Sequence, residues 1–248
     1  MKAQISIIIL STLLAGCAIT EQKDHNPHWG YVGEEGPEFW GELHTQNAIC
    51  STGVNQSPVN LSGFIESDLE PLGLSYKSGG NEVINNGHTI QVNYQPGSYL
   101  AINGGRYELK QFHFHSPSEN HISGQSYPME VHLVHASKEG NLAVVGVMFE
   151  EGQENKALSS IWAKMPINAG ENNVLHSVIS ADDLLPANQD YYRFNGSLTT
   201  PPCSEGVLWL VMKESITVSK AQIEKFNQVM KHPTNRPVQA INARPILK

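Results

Sequence analysis

The sequence predicts a single-domain α+β protein that is mostly β, and three observations carry that expectation. Apolar residues recur at period two in many short runs, the spacing of half-buried strands, with turn residues between them. Helical spacing is confined to two stretches. The composition agrees: 21 Gly and 14 Pro beside only 16% charged residues suit turns and strands better than a helical bundle. Of the 248 residues 40% are hydrophobic, enough for one full core. No repeat, low-complexity run or linker divides residues 28–248.

The chain opens on an address. Lys2 precedes an apolar run over 5–14 that is too short to span a bilayer, which is a secretory signal pattern. It ends in Leu14-Ala15-Gly16-Cys17, which resembles the bacterial lipobox, with cleavage before Cys17 and lipid on its sulfur. Residues 1–16 are thus expected to be a lipoprotein-type signal peptide, and 17–27 the lipidated Cys and a polar tether. The product is expected to be exported, periplasmic or associated with the outer membrane, and to touch a membrane only through that anchor. Sixteen Lys and Arg against 24 Asp and Glu give a formal net charge of −8, a poor match for nucleic acid, whose binding rests on neutralising phosphates. Cys50 and Cys203 are an even pair in an exported chain, which favours a disulfide over two buried thiols.

Strands are expected over 89–94, 107–115, 130–135, 142–149 and 207–212, punctuated by Gly79-Gly80, Asn85-Asn86-Gly87, Gly104-Gly105 and Glu139-Gly140-Asn141. One helix is expected where Ala157, Leu158, Ile161, Trp162 and Met165 share a face, with Pro166 as its stop. A second follows the capping box of Ser219 and Gln222, with Ile223, Phe226 and Met230 on one face.

The 11 histidines carry the chemistry. Along Tyr107-Glu108-Leu109-Lys110-Gln111-Phe112-His113-Phe114-His115, alternation sends Gln111, His113 and His115 to one face and the two Phe rings to the other. A buried aromatic face holds the strand still while the imidazoles converge. That pair alone is a weak signal, since two surface histidines would look the same. In Glu130-Val131-His132-Leu133-Val134-His135 the same alternation puts Glu130, His132 and Val134 together and His135 opposite. Two imidazoles and a third make a three-histidine site with one open position, the pattern of a catalytic rather than a structural zinc. Metal-bound imidazoles donate their second N–H to an outer partner, and Gln111 and Glu130 stand two residues before His113 and His132 to take it. His135, His44, His121, His176 and His232 read as core or loop histidines.

Further strings lie in order along the chain. They are His28-Trp29-Gly30-Tyr31, Gln56-Ser57-Pro58-Val59, Asn86-Gly87-His88, Ser118-Glu119, Gly196-Ser197-Leu198-Thr199-Thr200-Pro201-Pro202-Cys203 and Asn235-Arg236-Pro237. With the two histidine strands, this set resembles the α-class carbonic anhydrases of the bacterial exported type, over almost all of residues 28–248.

The resemblance implies a large, largely antiparallel twisted central sheet of about ten strands with peripheral helices. It implies one Zn²⁺ per chain on His113, His115 and His132, a Cys50–Cys203 disulfide beside the metal, and cis bonds at Ser57-Pro58 and Pro201-Pro202. The activity implied is reversible hydration of carbon dioxide to bicarbonate and a proton by a zinc-bound hydroxide. Thr199 and Glu119 match the gate that orients that hydroxide, and His88 matches the proton shuttle. Tyr31, Asn86 and Gln91 match residues that order the intervening waters, although regular alternation from His88 puts Gln91 on the wrong face unless a bulge intervenes. Val134, Val144, Leu198, Thr200, Val207 and Trp209 match the substrate pocket. Ser116-Pro117 and Asn120 depart from the animal members and are expected to bear on subgroup only. Bacterial members are often dimers, so a homodimer is compatible with the chain. The alternative is a catalytically silent surface-binding module on the same fold; relatives of that kind lack one or more of the zinc histidines, and all three are present here.

Overall fold

Period-two alternation in the longer runs builds the sheet that positions everything else. The computed structural model describes residues 28–248; the signal sequence, Cys17 and the tether expected over 1–27 lie outside the described residues. The first half of the described chain carries α1 (Trp40–Leu43), α2 (Ile49–Thr52), β1 (Asn60–Leu61), β2 (Gly73–Ser75), β3 (Gly80–Asn85), β4 (Ile90–Tyr94), β5 (Tyr99–Ile102) and β6 (Gly105–His115). The second half carries β7 (His121–Ile122), β8 (Met129–Ala136), β9 (Leu142–Glu151), α3 (Lys156–Trp162), β10 (Asn172–Ile179), β11 (Tyr191–Ser197), β12 (Glu205–Met212), β13 (Ile216–Val218) and α4 (Lys220–Met230).

Eleven strands form one sheet, with β10-β3-β4-β6-β8-β9-β12-β11 as its main path. The eleven-residue β6 is long enough to serve two partners along one edge, β5 through residues 105–108 and β4 through 111–113, while β8 runs along the other. Pairing is antiparallel except where β9 meets β12 and β13, both parallel to it. The expected architecture is therefore present, with one strand more than the ten anticipated in the main sheet and a separate parallel pair, β1 with β7.

The two faces of β6 divide as alternation requires. Phe112 and Phe114 are fully buried in the main core, opposite Leu133 and Val131 of β8. Trp162 of α3 meets Phe114 edge-on at 4.9 Å and stacks on Phe226 of α4 at 5.8 Å, so the two helices seal that face. Each buried ring contributes about 1.5–3 kcal/mol by removal from water. The Ser219–Gln222 capping box forms as expected. His135 lies on this face as a core residue, fully buried between the Tyr76 hydroxyl (2.8 Å) and the Ala143 carbonyl (3.2 Å).

Ser57–Pro58 and Pro201–Pro202 are cis, and so is Ser116–Pro117, which the sequence reading did not include. Gly196 is required by close approach: a Cβ there would stand 2.1 Å from Ser57 Oγ. Ser57 and Ser197 instead exchange two hydrogen bonds, Ser57 N–H to Ser197 Oγ at 2.8 Å and Ser197 N–H to Ser57 Oγ at 3.1 Å.

Candidate metal centre

Cross-strand register brings the three histidines together. His113 of β6 stands directly opposite His132 of β8, so both project from one face, and His115 follows two residues along on that face. Ring centroids are 5.4 Å apart for His113 and His132, 4.6 Å for His115 and His132, and 5.0 Å for His113 and His115. One nitrogen from each ring lies within 4.8 Å of the other two.

The second nitrogens decide which atoms face inward. His113 Nδ1 is 2.9 Å from Gln111 Oε1, and His115 Nδ1 meets the carbonyl of Thr234. His132 Nε2 lies 2.9 Å from Glu130 Oε1, close enough for an ion-pair contact but off the axis of a full hydrogen bond. The inward atoms are then His113 Nε2, His115 Nε2 and His132 Nδ1. Burial lowers the pKa of all three rings, for His113 and His132 well below the ordinary value, so each offers a neutral lone pair.

Two buried atoms at this point have no hydrogen-bond partner, His115 Nε2 and Glu119 Oε2. They lie 3.4 Å apart, and His132 Nδ1 is 3.8 Å from the same oxygen. Lone pairs gathered against a carboxylate oxygen are an electrostatic mismatch that a divalent cation removes. The donor set therefore fits a metal ion with three nitrogen ligands.

Both carboxylates are fully buried, and each is held by donors. Glu130 Oε2 accepts from the backbone N–H of Glu119 and of Asn120, both at 2.8 Å, while Oε1 accepts from Asn120 Nδ2 at 2.8 Å. Asn120 thus acts on the outer support of His132, a contact the sequence reading did not assign to it. Gly146, opposite His132 on β9, makes the room: a Cβ there would stand 3.0 Å from Glu130 Oε1. Glu119 Oε1 accepts from the backbone N–H of Arg236 at 2.8 Å. Burial raises the Glu119 carboxyl well above its usual range, and the Arg236 amide and the Thr199 hydroxyl oppose that shift. Thr199 therefore faces Glu119 closely enough to act on its charge, although Oε2 has no fully aligned bond.

The disulfide joins Cys50 to Cys203 across 153 residues and braces the segment that follows Thr199. Buried Arg236 continues the brace, donating to the Cys50 carbonyl at 2.7 Å, to the Ser57 carbonyl at 2.8 Å and to Gln56 Oε1 at 2.8 Å. The residues expected to form an apolar pocket gather in a second cluster, with Val144, Val207 and Trp209 buried and Val134 and Leu198 packed against them. The Trp209 ring stands edge-on to His132 at 4.8 Å, so that wall begins at the third histidine. Thr200 is partly buried, and its carbonyl accepts from the Cys203 N–H at 2.8 Å.

His88 is half-buried. It stacks on Trp29 with centroids 3.7 Å apart, and His28 is 5.6 Å away. Burial first, then His28 and His232, lower its pKa to about 4. Asn86 Oδ1 accepts from the backbone N–H of His88 and of Thr89, both at 2.9 Å, so it shapes the turn that presents His88. Tyr31 is buried between Trp29 and Trp40. No bulge is needed for Gln91. His88 belongs to a turn, with Gly87 at φ +89°, and β4 starts only at Ile90, so alternation does not run back to it. Register then sets Gln91 directly opposite His113, on the histidine face.

Residues 35–248 match the family model of the eukaryotic-type carbonic anhydrases. The chain belongs to the α-class carbonic anhydrases. It is 46% identical over 243 residues to a carbonic anhydrase of Neisseria gonorrhoeae, covering 97% of this chain and 96% of that one. It is also similar to a solved hyperthermostable carbonic anhydrase from an active hydrothermal vent chimney, with 55% identity, a TM-score of 0.87, and coverage of 89% and 99%. The α-carbonic anhydrase of Thermovibrio ammonificans, solved with the inhibitor sulfanilamide, gives 47% identity, a TM-score of 0.88, and coverage of 90% and 99%.

Within this family member, sequence reasoning gave no role to Thr234, Arg236 or Gly146, although Arg236 stands in one of the strings that carry the resemblance. Thr234 and Arg236 reach the site from a loop more than a hundred residues beyond the strands they support, and no periodicity marks them. Gly146 had a faint signal, a lone glycine inside an apolar strand run, which marks a close approach.

Proposed function

We propose that this chain catalyses the reversible hydration of carbon dioxide to bicarbonate and a proton, with one Zn²⁺ on His113, His115 and His132. The observation that carries the reading is the gathering of three neutral imidazole nitrogens within 4.8 Å of one another, two of them against a buried, unpartnered carboxylate oxygen. Three neutral ligands leave a metal its full charge and one open position. Zn²⁺ supplies the Lewis acidity that makes water deprotonate near neutral pH, behaviour for which carbonic anhydrases are themselves the reference case.

The protein's own groups do the rest. A cation held by the histidines favours the ionised form of Glu119, which can only accept. Its Oε1 is occupied by the Arg236 amide, so Oε2 is the oxygen left for the Thr199 hydroxyl. A Thr199 that donates to Glu119 must accept on its other side, which orients a hydroxylic reactant and disfavours anions with no proton to give. The wall of Val144, Val207 and Trp209 suits a substrate with neither charge nor donor. His88 takes up the proton. An imidazole ordinarily titrates near neutral pH, which suits that role; here, stacked on Trp29, burial and the neighbouring His28 and His232 make it a weaker base. The reading includes export and anchoring through Cys17, supported by the apolar run over 5–14 and by the disulfide, a bond of oxidising compartments.

The test is stopped-flow CO₂ hydration by the full chain as isolated, after chelator treatment, and after zinc is returned. Hydration is expected to vanish with the metal and to return at one zinc per chain. Full zinc content with no hydration above buffer would overturn the reading and favour a binding module.

A further inference from the structure

A chain of side-chain amides runs along the histidine face and ends on a carboxylate. Gln91 Nε2 donates to Asn93 Oδ1 at 2.8 Å, Asn93 Nδ2 donates to Glu82 Oε2 at 2.8 Å, and Asn172 Nδ2 donates to Glu82 Oε1 at 3.0 Å. Register keeps the three links on one face: Gln91 lies opposite His113, Asn93 opposite both Gln111 and Glu82. Gln91, Asn93 and Glu82 are partly buried, and Asn172 is exposed.

An amide in isolation can point either way, because its oxygen and nitrogen are nearly the same size. A carboxylate cannot donate, so Glu82 compels Asn93 to present Nδ2 to it and Oδ1 to Gln91. Gln91 must then give Nε2 to Asn93, which leaves its carbonyl oxygen for water beside the histidines. We propose that Glu82 and Asn93 are positioning residues that set the polarity of Gln91, so that it offers an acceptor to the waters carrying the proton toward His88. The proposal rests on the reaction assigned above. Its physical content is directional: a water that donates to Gln91 keeps both lone pairs open to the next donors in the path, whereas one that accepts from Gln91 keeps only one.

Glu82→Gln removes the compulsion. The replacement amide and the exposed Asn172 amide can both turn over, so Asn93 and Gln91 are no longer held in one direction. Proton transfer is expected to slow by about two- to tenfold, the span of one net hydrogen bond, lowering kcat with kcat/KM unchanged. Glu82→Gln with Asn93→Asp moves the carboxylate one link inward. Asp at position 93 accepts from both neighbours, restores the direction of Gln91, and should return kcat to within about twofold of the parent. The second readout needs neither metal nor turnover: the side-chain amide resonances of Gln91 in the zinc-free protein, identified with Gln91→Glu, should move in the single variant and return in the double. A folded single variant with unchanged kcat, a parallel fall in kcat/KM, unmoved amide resonances, or a folded double variant without recovery would each overturn the proposal. If the parent itself fails to hydrate CO₂, the functional reading falls instead, and the amide resonances still report the polarity.

Discussion

Glu130→Gln keeps the shape of the side chain and changes only what one of its oxygens can do. Oε1 faces Asn120 Nδ2 at 2.8 Å and His132 Nε2 at 2.9 Å; Oε2 faces the backbone N–H of Glu119 and of Asn120, both at 2.8 Å. Whichever oxygen becomes N–H₂ therefore meets two donors. Asn120 cannot turn over to help, because its Oδ1 accepts from the Val59 N–H at 3.1 Å. His132 cannot change tautomer without losing the Nδ1 lone pair that faces the centre. Two buried contacts are lost at about 1–3 kcal/mol each, so the metal-free protein should lose roughly 2–6 kcal/mol of stability. Burial already opposes the Glu130 charge, and its removal offsets part of the loss, which favours the lower half of that range. Zinc affinity should fall about 10- to 100-fold, since the outer partner of a ligating imidazole sets its orientation and basicity. Urea unfolding of the metal-free protein and a competitive chelator titration measure the two effects. A stability change under about 0.5 kcal/mol, the size of an ordinary surface substitution, together with unchanged zinc affinity would refute the reasoning.

Two further perturbations follow from the scaffold. Replacing Cys50 and Cys203 together by Ser opens a loop of 153 residues, worth up to about 5 kcal/mol in chain entropy, so denaturant unfolding should show a loss of several kcal/mol. A loss under about 1 kcal/mol would contradict the brace. His135 has its pKa lowered to about 4 by burial, against 6.5 in the unfolded chain. The unfolded state therefore binds the extra proton first, and stability should fall as pH drops from about 6.5 to about 4, by up to ~1.4 kcal/mol per unit. In the zinc-loaded protein, His135→Gln should flatten that slope; an unchanged slope would assign it to other groups.

The sequence made β6 and β8 legible because each alternates over the stretch that carries the metal-facing histidines, 111–115 and 130–134, with aromatic or branched residues on the opposite face. The three histidines, Gln111 and Glu130 follow from that alternation alone. The gate and His88 did not. Thr199 and Glu119 are 80 positions apart in loops and turns, and only resemblance to a family joined them. Alternation counted from His88 put Gln91 on the wrong face, because the turn that separates His88 from β4 depends on Asn86 and on a positive φ at Gly87. Arg236, Thr234 and Glu82 act through contacts across loops or neighbouring strands, which no local pattern encodes. The parallel contact of β9 with β12 was equally hidden, since alternation marks a strand but not its neighbour.

The most direct test of the account is to count zinc and CO₂ hydration in the same preparation of the full chain, beside His132→Ala. The account predicts one zinc per chain with rapid hydration, both lost in the variant while it remains folded. A folded parent that takes up no zinc, or a variant that keeps both zinc and turnover, would contradict the three-histidine centre on which every other assignment rests.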